Sequence, residues 1–221
     1  MKLHVIRTGV LKVNTLIVPI CDNQCFVVDP AACELSGDSS VITDFLAAHN
    51  LVCKAIVLTH AHFDHITGIA GLKSVFPDAK IALHQAELLE LSSPPGPMNS
   101  SVMQFFGAPQ LFEAVAAQPA ADTPLQDNSI FFGWKVIHTP GHTPGSICLY
   151  NATAGESGQG VLISGDTLFD YGGYGRTDMY GGNEIEIHKS LERLRREIPD
   201  GTLVYPGHDN FGFSFKSDSI N

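Results

Sequence analysis

Hydrophobic and polar positions change in short segments along the whole chain, and this pattern predicts β-strands separated by helices. Apolar or β-branched runs bounded by Gly, Pro, Asn or Asp are typical of strands. They lie at 3–6, 15–20, 24–28, 55–58, 80–83 and 134–137, and strand-then-turn patterns lie at 161–166 and 203–208. Asp22 and Asn23 predict a hairpin turn between the second and third of these strands.

Longer segments with helical spacing follow several of the strands. They lie at 39–49 with Asp38 or Ser39 as the cap, from 66 to about 75, at 85–91, and at 109–117 within a looser region that runs from 92 to about 127. Asn183 predicts the start of a final helix, because Glu184 and Glu186 follow it and arginines stand near the helix end. That order of charges suits the helix dipole.

Composition and charge fit one compact domain over residues 1–221, since 44% of the residues are hydrophobic and no linker divides the chain. The net charge of −10 and the lack of a Lys/Arg run argue against a nucleic-acid partner. No apolar segment approaches bilayer length and no apolar leader follows Met1, so we expect no membrane association. The five cysteines lack Cys-x-x-Cys spacing, which favours a reducing, cytoplasmic location. The oligomeric state is not predicted.

Candidate chemistry begins directly after the apolar run 55–58, in the sequence His60-Ala61-His62-Phe63-Asp64-His65. In extended backbone, residues i and i+2 share a face, so His60 and His62 can address one point. Asp64 and His65 come where the chain turns, and from there they can address a second point. Imidazoles and carboxylates are ligands of borderline divalent metals, so this segment predicts a metal site.

Further ligands are expected where other strands end. His142, Asp166 and His208 each follow a β-type run that stops at Gly or Pro. Strand ends are where sites gather in layered α/β folds. Taken singly, each could be a turn or loop residue, and the prediction depends on their occurring together. The remaining histidines are predicted to be structural or surface residues: His4, His49, His84, His138 and His188.

The order His-x-His-x-Asp-His, Gly-His, Ser-Gly-Asp-Thr and Pro-Gly-His resembles the metallo-β-lactamase superfamily, over about Leu3 to His208. The resemblance implies an α/β fold, a four-layer αβ/βα sandwich of two mixed β-sheets flanked by helices. It also implies a two-metal site with three groups of ligands: His60, His62 and His142 for the first metal, Asp64, His65 and His208 for the second, and Asp166 bridging both. Zinc is the expected metal, with iron and manganese as alternatives, because all three accept such mixed ligands.

Within the superfamily, the segments 164–169 and 172–178 are similar to glyoxalase II-like thioester hydrolases. This similarity implies hydrolysis of a small-molecule ester or thioester. Two divalent cations bring four positive charges, of which Asp64 and Asp166 offset two and a bridging hydroxide offsets a third. The remaining positive charge favours ionised water at neutral pH, so a metal-bridging hydroxide is the expected nucleophile. Asp64 is the expected catalytic residue that orients it.

Substrate contacts are less well marked. Arg176 and Tyr180 are predicted to bind substrate, with a salt bridge from Arg176 to Asp178 as the alternative. The resemblance to glyoxalase II implies a C-terminal helical domain that holds glutathione, and we expect this domain to be missing because the sequence stops at Asn221. Glutathione is therefore not assigned, and 92–127 is a candidate lid. Asp29 is a candidate for orienting a ligand histidine, or else a turn residue, although the family's Asp-Pro-Gly reads Asp-Pro-Ala in this chain.

Two other classes of function compete with hydrolysis. The segments 65–68 and 205–209 are similar to persulfide dioxygenases. Such an oxygenase would use one iron held by His60, His62 or His142, and Asp166, with positions left open for oxygen. A non-enzymatic metal-binding module is the third class, and the full ligand set argues against it.

Overall fold

The strands of the computed structural model, which describes residues 2–92, 95–106, 109–116 and 118–220, form two mixed sheets. In the described residues the first sheet has six strands, in spatial order β1 to β6: β1 His4–Thr8, β2 Val13–Pro19, β3 Gln24–Val28, β4 Val52–Val57, β5 Lys80–His84 and β6 Thr123–Leu125. The pairs from β1 to β3 are antiparallel, and the pairs from β3 to β6 are parallel. The ends of β3, β4 and β5 therefore share one edge.

The second sheet also has six strands within the described part of the chain, in reversed spatial order from β12 to β7. They are β7 Ile130–Phe131, β8 Trp134–His138, β9 Ile147–Asn151, β10 Val161–Gly165, β11 Leu203–Pro206 and β12 Phe213–Ser214. All neighbours are antiparallel except β10 and β11, which are parallel. Because β10 and β11 run in the same direction, the residues that follow them emerge side by side.

Alternation along the strands explains how the sheets are stacked. Phe26 and Val57 of the first sheet face Trp134, Leu149 and Ile163 of the second, and all of them are buried. Burial of one such side chain contributes about 1.5–3 kcal/mol. Alternate residues point outward because the side-chain period of a strand is two.

The outward faces are covered by helices. Val27 and Ile56 pack in one core with residues of α1 (Val41–Ala48) and α3 (Ile69–Val75). On the other sheet, Leu162 and Val204 pack with residues of α6 (Glu184–Glu197). The predicted four-layer sandwich of two mixed sheets between helices is confirmed.

The structure confirms one predicted helix cap and contradicts another. Asn183 caps α6 as predicted, because its side chain accepts hydrogen bonds from the N–H groups of Ile185 and Glu186. The predicted cap of α1 is wrong. The N-cap residue is Ser40, which makes no side-chain cap bond, and the Asp38 carboxylate instead accepts from loop N–H groups.

The helix predicted from 66 to 75 is two helices, α2 (Phe63–Ile66) and α3, with a break between them. Gly68 lies at this break and donates its N–H to the carbonyl of Pro30 at 2.9 Å. A Cβ at this position would lie 3.0 Å from the same oxygen, closer than ordinary van der Waals contact, so glycine suits this close approach. Helix α2, which carries Asp64 and His65, ends just before the break.

The described part of the region from 92 to 127 contains more secondary structure than predicted. It holds α4 (Pro97–Phe106) and α5 (Pro109–Ala116) as well as β6. The Glu90 carboxylate accepts from the N–H groups of Met98 and Asn99 and so begins α4, a long-range cap that the local pattern does not show. Pro94 and Ala117 of the predicted region lie outside the described residues. The helix predicted at 85–91 is a 3₁₀ helix, Gln85–Glu90.

No helix in the described ranges is both long and apolar enough to cross a bilayer.

Candidate metal centre

All seven predicted metal ligands lie at one end of the two sheets. His60 and His62 lie in the loop after β4, and Asp64 and His65 lie on α2 immediately behind it. Asp166 follows β10 and His208 follows β11, so the parallel pairing of these strands brings them together. His142 comes from the loop between β8 and β9. Each sheet thus contributes one side of the site.

The first group of ligands consists of His60, His62 and His142, whose ring nitrogens lie within 4.8 Å of one another. His62 Nδ1 is 2.9 Å from His142 Nε2. All three side chains are buried. Three imidazole nitrogens converging on one buried point is the arrangement of a tetrahedral metal site with one position left open.

The second group consists of Asp64, His65 and His208. Asp64 Oδ2 lies 3.2 Å from His208 Nε2 and 3.6 Å from His65 Nε2. Asp166 lies between the groups, with Oδ1 3.6 Å from His65 Nε2 and Oδ2 3.6 Å from His142 Nε2. One carboxylate can therefore serve both groups.

Backbone carbonyls hold two of the histidines in one tautomer. His142 Nδ1 lies 2.8 Å from the carbonyl oxygen of Arg176, and His208 Nδ1 lies 3.3 Å from that of Leu11. A carbonyl oxygen can only accept, so each Nδ1 carries the hydrogen. The Nε2 lone pairs of His142 and His208 consequently face the site.

The Asp29 carboxylate holds the ring of His65, on α2, in one tautomer in the same way. It accepts from His65 Nδ1 at 3.0 Å, and from the N–H and hydroxyl of Thr59 at 2.8 and 2.7 Å. Because the Thr59 hydroxyl donates to Asp29, it can only accept from His60 Nδ1 at 3.1 Å. The Nε2 lone pairs of His60 and His65 are therefore left for the site. The predicted orienting contact of Asp29 is present in the structure.

Unpaired atoms show that this donor set fits a cation. His60 Nε2, His62 Nε2 and Asp166 Oδ1 are buried and have no hydrogen-bond partner among the described residues. A buried polar atom without a partner costs about 1–3 kcal/mol. Nitrogen lone pairs and carboxylate oxygens in this number satisfy a divalent metal of the zinc, iron or manganese type.

The titration behaviour of the histidines differs between the two groups. Burial, together with the neighbouring imidazoles, lowers the pKa of His60 and of His62. Burial also disfavours charge on His65, but Asp64, Asp166 and Asp29 outweigh it and raise the pKa of His65 to about 10. Burial would raise the pKa of Asp64, but His65 and His208 outweigh it and hold that pKa below its usual range. Without metal, a proton on His65 balances the carboxylates.

Replacing Asp29 by asparagine is expected to lower the affinity for zinc by about 10- to 100-fold, the usual cost of losing an outer partner of a ligand histidine. An amide has one acceptor oxygen in place of two, so it cannot accept all three bonds from the Thr59 N–H, the Thr59 hydroxyl and His65 Nδ1, and the His65 ring is held less firmly. Competition with a chromophoric chelator measures the loss. Asp38→Asn is the matched control, because Asp38 also accepts loop N–H groups but contacts no ligand. Equal affinities for Asp29→Asn and the unmodified protein would contradict the orienting role.

Two buried polar residues beside the ligand loops have no counterpart in the sequence prediction. Asn14 is fully buried on β2, donates its side-chain N–H to the carbonyls of Pro206 and Asp209 at 3.0 and 3.3 Å, and so holds the His208 loop. Its one local signal is a buried amide within an apolar strand. Glu87 is buried beside the other ligand loops. The local sequence around Asn14 and Glu87 does not show these positions, because the loops that the two side chains approach lie far away in the chain.

A cavity of about 300 Å³ opens over the ligands. Apolar and aromatic residues line part of it: Leu11, Phe63, Phe169, Tyr174 and Met179. Arg176 also lines the cavity, and its guanidinium forms two hydrogen bonds with Asp178 at 2.7 and 2.8 Å. Tyr180 is 55% exposed and is not among the lining residues. The structure thus places Arg176, but not Tyr180, at the cavity over the ligands.

Comparison with known proteins agrees with this architecture. Residues 13–208 match the metallo-beta-lactamase superfamily. The chain is 34% identical over 211 residues to a probable metallo-hydrolase of Bacillus subtilis (strain 168), YqgX, covering 94% of this chain and 90% of that protein. It is 35% identical over 204 residues to hydroxyacylglutathione hydrolase of Aeromonas salmonicida (strain A449), covering 90% of this chain but 64% of that protein.

Among solved structures, the B3 metallo-beta-lactamase BLEG-1 superposes with a TM-score of 0.80 at 30% identity, covering 96% of this chain and 94% of that one. Sequence match, fold and the buried cluster of histidines and carboxylates therefore agree. The chain belongs to the metallo-beta-lactamase superfamily, a family of metal-dependent hydrolases.

Proposed function

We propose that this protein is a binuclear metal-dependent hydrolase that cleaves an ester or thioester bond in a small molecule, with zinc as the metal. The observation that carries the proposal is the position of Asp166 between two groups of ligands, 3.6 Å from His65 and 3.6 Å from His142. A single metal would leave one of these groups without a cation.

When bound, two divalent cations supply Lewis acidity and lower the pKa of a water molecule to about 7. The side chains of the protein orient the attacking water. Asp64 keeps its charge because its pKa is lowered, so it can accept a hydrogen bond from the attacking water and orient it. Leu11 and Phe169 line the cavity and limit the access of other water to the reacting carbonyl.

Thioester specificity is supported by the hydroxyacylglutathione hydrolase relative. This chain spans 64% of the length of that protein, so its substrate is not carried over whole. Arg176 and Tyr180 are proposed as substrate contacts. Arg176 could exchange Asp178 for a carboxylate of the substrate without losing charge pairing. The five free cysteines, four of them buried, support a reducing, cytoplasmic location.

The experiment combines metal analysis with an activity panel. Bound metal is measured in the protein as purified, which is then assayed, before and after loading with zinc, against acyl thioesters, carboxylic esters and a β-lactam, with and without oxygen. We expect two zinc ions per chain, thioester or ester cleavage independent of oxygen, and loss of metal and activity together in His62→Ala. One bound iron with thiol-dependent oxygen uptake would instead establish the oxygenase, and β-lactam cleavage alone would replace the proposed substrate class.

A further inference from the structure

Glu87 joins the two loops that carry the first group of histidines. It lies on the 3₁₀ helix after β5, and its side chain is almost fully buried at 1% exposure. Its Oε2 accepts from the Ala61 N–H at 2.7 Å, and its Oε1 accepts from the Gly145 N–H at 2.6 Å. Ala61 separates His60 from His62, and Gly145 lies three residues after His142.

These loops extend from different sheets, so their spacing depends on contacts between them. One such contact is the Ile147 N–H to the Thr59 carbonyl at 2.9 Å, on the strand side of the ligands. Glu87 supplies the contact at the ligands themselves. The Ala61 peptide is held from both sides, because the Asn99 side chain donates to its carbonyl at 2.7 Å. Together these bonds leave the His60–His62 segment little freedom to shift relative to His142.

The local sequence is adapted to this contact. A Cβ on Gly145 would lie 2.9 Å from Glu87 Cγ and 3.0 Å from its Oε1, so the loop can approach the carboxylate only with glycine at that position. An ionised carboxylate also makes stronger hydrogen bonds to backbone N–H groups than a neutral acceptor does. A glutamine of the same shape has one acceptor oxygen and would face the second N–H with an amide donor.

We propose that Glu87 is a positioning residue that sets the distance between His142 and the pair His60 and His62, and thereby the affinity and geometry of the first metal position. The inference rests on the proposed metal centre and adds to it a residue outside the ligand set.

The test measures metal binding in Glu87→Gln, with all variants built on His208→Ala so that the second group of ligands is disabled. Zinc affinity is measured by chelator competition, and the ligand field is measured by the visible absorption of bound cobalt(II). We expect Glu87→Gln to weaken zinc binding by about 10- to 100-fold, as for other outer partners of metal ligands, and to change the cobalt spectrum.

Asp38→Asn is the matched control. The Asp38 carboxylate also accepts from two backbone N–H groups, those of Gly9 and Cys33, but neither lies in a loop that carries a ligand. We expect this variant to lower the melting temperature of the metal-free protein and to leave the cobalt spectrum unchanged. Unchanged affinity in Glu87→Gln, or an equal loss in Asp38→Asn, would overturn the inference.

If Glu87→Gln does not fold, Gly145→Ala decides the question, because its Cβ would lie 2.9 Å from Glu87 Cγ and 3.0 Å from Oε1 and would push the carboxylate away from the His142 loop. A smaller loss of zinc affinity with a changed cobalt spectrum supports the inference, and unchanged binding overturns it. Failure of the metal centre itself is distinguishable. In that case the protein without any substitution binds neither zinc nor cobalt, whereas failure of the Glu87 inference leaves that binding intact.

Discussion

Replacing Asp166 by alanine is expected to remove bound metal and hydrolytic activity together. Its two oxygens lie 3.6 Å from His65 and from His142, so its loss affects both groups of ligands at once. It also removes one of the two negative charges expected to balance the cations. We expect less than one zinc ion per chain after dialysis against zinc-free buffer, and activity reduced by at least about 1,000-fold, because metal-assisted ionisation of water is lost.

Elemental analysis and steady-state assays on the same preparation check this expectation. Asp218→Ala is the control, since Asp218 is highly exposed and its ion-pair contact with Arg195 is long at 3.9 Å. It should keep full metal content and activity. Full metal content in Asp166→Ala would show that this carboxylate is not a ligand, and the two groups would then not form one centre.

Zinc binding to the second group is expected to strengthen as pH rises, whereas binding to the first group should change little. His65 holds a proton in the metal-free protein up to a pKa of about 10, because Asp64, Asp166 and Asp29 outweigh its burial. Zinc must displace that proton, so affinity should rise by about tenfold per pH unit between about pH 6 and pH 8.5. The pKa values of His60 and His62 are lowered, so these rings are already neutral there.

The stability of the metal-free protein should change with pH in the opposite direction and fall as pH rises. The pKa of folded His65 is raised above its ordinary value of 6.5. Its stabilising contribution is therefore complete below 6.5 and is lost as pH rises through about 10. Melting temperatures with chelator should fall over this range, while those with excess zinc should hold or rise. This account of His65 is contradicted if the melting temperature changes equally with pH with and without zinc. It is also contradicted if zinc affinity depends equally on pH at the two groups of ligands.

The ligands could be predicted from sequence because their signals are local. His60 and His62 are two residues apart after an apolar run, and Asp166 and His208 stand where strands stop at glycine or proline. The strands themselves follow from short apolar runs, and most predicted bounds differ from the structure by a few residues. Strand β9 has no predicted counterpart, because its apolar residues follow closely on the Gly-His loop that holds His142.

The errors occur where distant residues decide the local structure. Helix α4 begins at Pro97 because Glu90 accepts from Met98 and Asn99, and the local pattern alone predicts a loose segment. The substrate-binding roles of Arg176 and Tyr180 stay predictions. Arg176 lines the cavity, whereas Tyr180 is 55% exposed and lies just before Gly181, where φ is +85°.

By itself, the sequence determined the fold class, the set of metal-competent side chains and the family, because each follows from residue type and short spacing. Only the tertiary structure decided which nitrogen of each ring faces the site and how far apart the ligand groups lie. The tautomers of His142 and His208 depend on the carbonyls of Arg176 and Leu11. Any residue type supplies a backbone carbonyl, so such contacts leave no mark in the sequence and arise only when the chain is folded.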